Sequence, residues 1–170
     1  KERHLEAFRR AKSCGFQWYM LMGMNPSWAT ASGNPMDTTK NEPLKTEEQL
    51  ANFKQYVKDI LQFMKDNGAK PDYADLTNEY WTGTEGTYRV VWEALREVYP
   101  DDIPAVGPGG VGFDGIPDFY IPYASENDIT VEGPSWHAFW KGDTFATFLQ
   151  LTKWADTIRR LQEEYPKANG

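Results

Sequence analysis

Pro71-Asp72-Tyr73-Ala74-Asp75-Leu76-Thr77-Asn78-Glu79-Tyr80-Trp81 is the stretch whose reading decides the fold. Residues 71–77 start at a proline and run out just before a Gly/Thr-rich turn, which predicts a β-strand ending at Asn78. A strong helix is expected on either side. Before the stretch, Thr46 opens one, with Gln49 three residues on as its capping-box partner. Leu50, Phe53, Tyr56, Val57, Ile60, Leu61 and Met64 follow at three- and four-residue steps, and Gly68 closes the helix. After it, the spacing predicts a helix over Thr87–Tyr99, with Tyr88, Val91, Trp92, Leu95 and Val98 on one side and Pro100 past its end. A strand between two helices is a parallel strand. Its C-terminal end is where α/β proteins place their chemistry, which makes Glu79, with an amide before it and aromatics after it, the candidate acid/base.

Working outward, Leu5, Phe8 and Ala11 or Lys12 predict a helix over residues 1–14, stopped by Gly15. Phe16 to Met22 is a continuous apolar run suited to a strand buried on both faces, ended by Gly23-Met24-Asn25-Pro26. Ser27 to Lys45 has no periodicity, and loops of that length tend to be functional; Trp28 is its candidate ligand contact. Beyond the second helix, Ile103 to Val106 reads as a short strand turned by Gly107-Pro108-Gly109-Gly110. Asp118 to Ser125 reads as a short helix. Ile129 to Val131 begins a strand that leads to Ser135-Trp136-His137, and Asp143 caps a last helix ended by Pro166. Strands alternating with helices predict parallel strands joined by right-handed crossovers in a single α/β domain, 1–170. Four such units fit either a small doubly wound sheet or half of an eight-fold barrel.

Composition narrows the chemistry. Aromatics are 15% of the 170 residues, enough both to fill a core and to offer stacking faces to flat ligands. A formal charge of −7 argues against nucleic acid, whose phosphates need clustered Lys and Arg. Cys14 is the single cysteine, so no internal disulfide forms, and with only His4 and His137 a zinc site is not expected. No apolar run approaches the ~20 residues of a membrane span. The chain opens at Lys1 without a leader pattern, which predicts a trimmed or internal segment. Gly107-Pro108-Gly109-Gly110 lacks the Lys-Ser/Thr of a phosphate loop and reads as a tight turn. His137, following a strand among Trp136, Phe139 and Trp140, is a site candidate; His4 is a surface residue of the first helix.

Asn78-Glu79-Tyr80-Trp81-Thr82-Gly83-Thr84, with Tyr88 on the next helix, resembles the fourth strand and following helix of clan A glycoside hydrolases, nearest the β-xylosidase and α-L-iduronidase group. Gly23-Met24-Asn25-Pro26, Val106-Gly107-Pro108-Gly109-Gly110 and Ser135-Trp136-His137-Ala138-Phe139 fall in the order of that family's third, fifth and sixth strands. The resemblance implies a (β/α)8 TIM-barrel segment, about half a barrel, from a retaining hydrolase of O-glycosidic bonds with no cofactor and no metal. By it, Glu79 is the general acid/base, Asn78 hydrogen-bonds the sugar 2-hydroxyl and His137 lines the subsite near the nucleophile. Trp81, Trp136, Trp28 and Asn25 complete the substrate-binding candidates. Asn41-Glu42-Pro43 matches the family's three-letter spelling better, but it follows no strand and reads as a turn.

Two departures stand out. Tyr80 replaces the family's usual proline, and the family's nucleophile, a Glu ending the seventh strand, has no counterpart before Gly170. Asp75 lies deeper on the strand of Glu79, and Glu132 precedes Gly133-Pro134; neither matches a nucleophile's position. The other reading is a carbohydrate-binding or structural domain without chemistry, using Trp28, Trp81, Trp136 and Trp140 as stacking surfaces. Expected partners are a carbohydrate substrate, neither nucleic acid nor membrane, and a second copy through open sheet edges.

Overall fold

The computed structural model describes residues 2–21, 44, 46–76, 78–80, 85–100, 102–111 and 122–137, with shorter stretches between 152 and 166. Among these residues the fold is mixed α/β around one parallel sheet. Helix α1 spans Glu2–Ser13 and buries Leu5 and Phe8. It ends as its sequence predicts: Gly15 takes φ 81°, Gly15 N–H donates to Lys12 O and Phe16 N–H to Ala11 O. That double closure uses the left-handed conformation that glycine enters without cost. Phe16 is thereby spent on the cap and lies exposed, so strand β1, Tyr19–Leu21, starts three residues later than the apolar run over 16–22.

Helix α2, Glu47–Asp66, starts with the expected capping box. Thr46 Oγ1 accepts from the Gln49 N–H at 3.1 Å, and Gln49 Oε1 accepts from the Thr46 N–H at 3.1 Å. Its apolar stripe divides between two neighbours. Leu50, Phe53, Val57 and Leu61 enter the main core, whereas Phe63 and Met64 cover Leu5, Phe8 and Ala69 beneath α1. Tyr56, expected on the stripe, stands 41% exposed at its margin. Helix α3, Glu85–Val98, begins two residues earlier than its predicted start and buries Tyr88, Val91, Leu95 and Val98. Lys54 of α2 bonds both Glu93 and Glu97 of α3 at 2.7 Å, which ties the two helices along their exposed seam.

The strand predicted over 71–77 is real but broken: β2 is Tyr73–Asp75 and β3 is Asn78–Tyr80. Strand β4 is Ala105–Val111 and β5 is Gly133–His137. All pairings are parallel. β1 pairs β2, both β2 and β3 pair β4, and β4 pairs β5. With β2 and β3 taken as one interrupted path, spatial order therefore follows chain order. Ala74, Leu76 and Ala105 pack into the core that also holds residues of α2 and α3, so one sheet face is the helix face.

Two expectations are corrected here. Gly107-Pro108-Gly109-Gly110 is not a turn but the middle of β4; Gly107 takes φ 97° and the strand continues through it. Gly and Pro ordinarily punctuate strands, and here they mark an irregular one. Trp136 and His137 do not follow a strand but end one, since pairing with β4 begins at Gly133 and Val131 forms only an isolated bridge. The short helix expected over Asp118–Ser125 is seen at 122–126, and the last helix at residues between 152 and 164. The segments 27–43, 112–121 and 138–151 lie outside the described residues.

Candidate active site

The site is built from backbone rows across β3, β4 and β5. Asn78, Gly109 and Ser135 stand in one row. Tyr80, Gly110 and Trp136 stand in the next, and His137 follows opposite Val111. Neighbouring strands lie about 4.8 Å apart, so β3 and β5 face each other across about 10 Å with the two glycines between them. Asn78, Glu79, Trp136 and His137, which the sequence scatters over sixty positions, thus come to one end of one sheet. Trp81, Trp28 and Asn25 lie outside the described residues, as do Asn41 and Glu42.

Glu79 has a distinctive place. Asn78 and Tyr80 oppose consecutive residues, Gly109 and Gly110, so β3 carries one residue more than its partner there. Glu79 is that extra residue, outside the regular ladder. A bulge of this kind bends a strand locally and re-aims a side chain, and bulges concentrate beside active sites. The β4–β5 pair is also offset: between Val106↔Gly133 and Gly109↔Ser135, β4 spends three residues and β5 two. The surplus falls on Gly107-Pro108, at the positive φ. On the β5 side the irregularity thus lies just below the candidate rows, and pairing is regular again from Gly109↔Ser135 to Val111↔His137; on the β3 side it falls at Glu79 itself.

The other carboxylates sit lower. Asp75 opposes Val106, and Val106 opposes Gly133, so that row precedes the Asn78 row. Glu132 is exposed, and its N–H donates to Ala105 O at 2.8 Å, at the start of β4. Neither stands level with Glu79. Asp75 is nonetheless the residue that sequence reasoning undervalued. It is 3% exposed, and Tyr19 donates its hydroxyl hydrogen to Asp75 Oδ2 at 2.5 Å. The available signal was an acidic residue between Ala74 and Leu76, both fully buried.

Two of the cavities among the described residues lie away from this end of the sheet. One, of about 520 Å³, is bordered by Arg9, Lys12, Lys70 and Asp72, where β2 begins. The other, about 630 Å³, is an apolar groove between α1 and α2 lined by Trp18, Tyr56, Ile60 and Phe63. Neither includes a residue of β3, β4 or β5, so the candidate residues are identified by strand register. Among the described residues no three His, Cys, Asp or Glu side chains gather as a metal site would require. No described helix is long and apolar enough to cross a membrane. No protein-family model matches the chain, and the search of curated proteins finds no match.

Proposed function

We propose that the chain supplies the acid/base side of a retaining glycoside hydrolase active site, with Glu79 as the general acid/base, on a segment of a (β/α)8 barrel. The observation that carries the reading is the position of Glu79: the inserted residue of a bulge near the end of a parallel strand, next to Asn78 and across β4 from Trp136 and His137. A residue released from ladder geometry is free of the strand's regular alternation, and an amide residue beside it on β3 with an aromatic and a histidine across β4 suit a sugar's hydroxyls and faces.

Strand order supports the barrel. A doubly wound sheet reverses its order at a switch point, and ligands bind there. In this sheet, with β2 and β3 taken as one path, each strand lies beside the next in sequence without reversal. α1 packs on α2, and α2 on α3, as consecutive outer helices of a barrel do. The substrate class is a neutral polysaccharide or glycoside, in keeping with the negative net charge.

The test is Glu79→Gln in the native polypeptide that contains this chain. Hydrolysis of glycosides with poor leaving groups is expected to fall about 100-fold or more, the scale of general acid catalysis, while activated aryl glycosides lose much less because they need little protonation. Unchanged turnover of the poor-leaving-group substrate would reject the assignment. Saccharide binding with no hydrolysis in the unsubstituted protein would favour the binding-domain reading instead.

A further inference from the structure

Among the residues whose side chains the structure describes, Asp75 is the one acidic residue with less than a tenth of its surface exposed. Side chains alternate along a strand. Ala74 and Leu76 lie in the core shared with α2 and α3, so Asp75 belongs to the opposite face. There Tyr19, two residues before the Leu21 that opposes Asp75, reaches along the sheet to bond its carboxylate. This contact joins β1 to β2 at the last paired row. Beyond Asp75, Leu76 lies outside the strand, and among the described residues β3 pairs with β4, through the bulge at Glu79.

We propose that Asp75, held by Tyr19, is a positioning residue for the Asn78–Glu79 segment; the inference rests on the glycoside reading of Glu79. Among the described residues, backbone pairing holds β3 from the β4 side. The Tyr19–Asp75 link fixes the chain from the β1 side three residues before Asn78, and so limits how far the bulge can shift. Burying a carboxylate is costly, and a well-packed apolar residue generally serves stability better at such a place. A buried carboxyl group kept on the strand that leads to a candidate acid is the kind of local conflict that functional sites retain.

Asp75→Asn and Tyr19→Phe, made in the native polypeptide, test this by kinetics and thermal denaturation. Each is expected to lower kcat tenfold or more on a poor-leaving-group glycoside, with KM within twofold. Turnover of an activated aryl glycoside is spared, and the melting temperature of Asp75→Asn is unchanged or higher. In the Glu79→Gln background, Asp75→Asn adds no further loss, because the two act through one step. Equal losses on both substrates, or an undiminished effect of Asp75→Asn in the Glu79→Gln background, would overturn the proposal. If Asp75→Asn does not fold, Tyr19→Phe decides alone, and wild-type kinetics for it count against the link. Where Glu79→Gln is impaired and Asp75→Asn is not, this inference falls by itself; where Glu79→Gln is unimpaired, the glycoside reading falls and takes it along.

Discussion

Asp72 accepts three hydrogen bonds from two groups: both carboxylate oxygens accept from Lys12 Nζ, at 2.6 and 2.7 Å, and one accepts from the Trp18 N–H at 2.6 Å. The Lys12 hydrogen bonds first, and the Trp18 N–H second, hold its pKa below the ordinary carboxylate value. A carboxyl group whose pKa is lower folded than unfolded contributes stability above its unfolded pKa, and loses it as pH falls through the folded one. The melting-temperature difference between the native chain and Asp72→Asn should thus be constant above about pH 5 and shrink as pH falls below about 4, the ordinary carboxyl range. A difference independent of pH would refute this. Nothing in the sequence announces the contact, because Lys12 and Trp18 lie sixty and fifty-four positions away. The Thr46–Gln49 box is legible for the opposite reason: its partners are three residues apart and the motif is local. Thr46→Ala should cost about 1 kcal/mol in denaturant titration, the usual loss for a threonine cap.

Among the elements, helices were more legible than strands. The stripe of α2 specifies a helix whatever surrounds it, but not which neighbour takes which residue. Leu61, fully buried in the main core, and Tyr56, at the margin, read alike in sequence. Leu61→Ala should therefore cost about 2–5 kcal/mol, as buried leucine truncations do. Tyr56→Ala, which removes a half-exposed ring stacked on Phe53, should cost clearly less; equal values in chemical denaturation would contradict the core assignment. Strand β4 shows the reverse difficulty. Gly107-Pro108-Gly109-Gly110 carries turn residues by composition, yet neighbours on both sides hold it in the sheet. Local preference was overridden by pairing partners distant in sequence, which no window around residue 107 contains.

At the scale of the molecule, alternation of strands and helices gave the parallel sheet and left its order open. Unreversed order came only with the registers. Among the described residues, β1 and β5 each pair on one side. An open parallel edge invites another strand, so we expect the chain in isolation to self-associate. The net charge of −7 opposes this through long-range repulsion, which salt screens. Size-exclusion chromatography should show a larger species that gains population with concentration and with added salt; a single monomer peak throughout would refute edge pairing.

Because β3 holds one residue more than the partner it lies against, the sheet and the chemistry proposed for Glu79 would make opposite demands on the same position. Excising residue 79 altogether would bring Asn78 and Tyr80 into consecutive register with Gly109 and Gly110, leaving a more regular ladder and no acid. On the glycoside reading proposed above, a one-codon deletion at this point in the chain would be gentler to the architecture than to the activity. Shortened relatives with a straight third strand would thus be expected to keep the scaffold while having left catalysis behind.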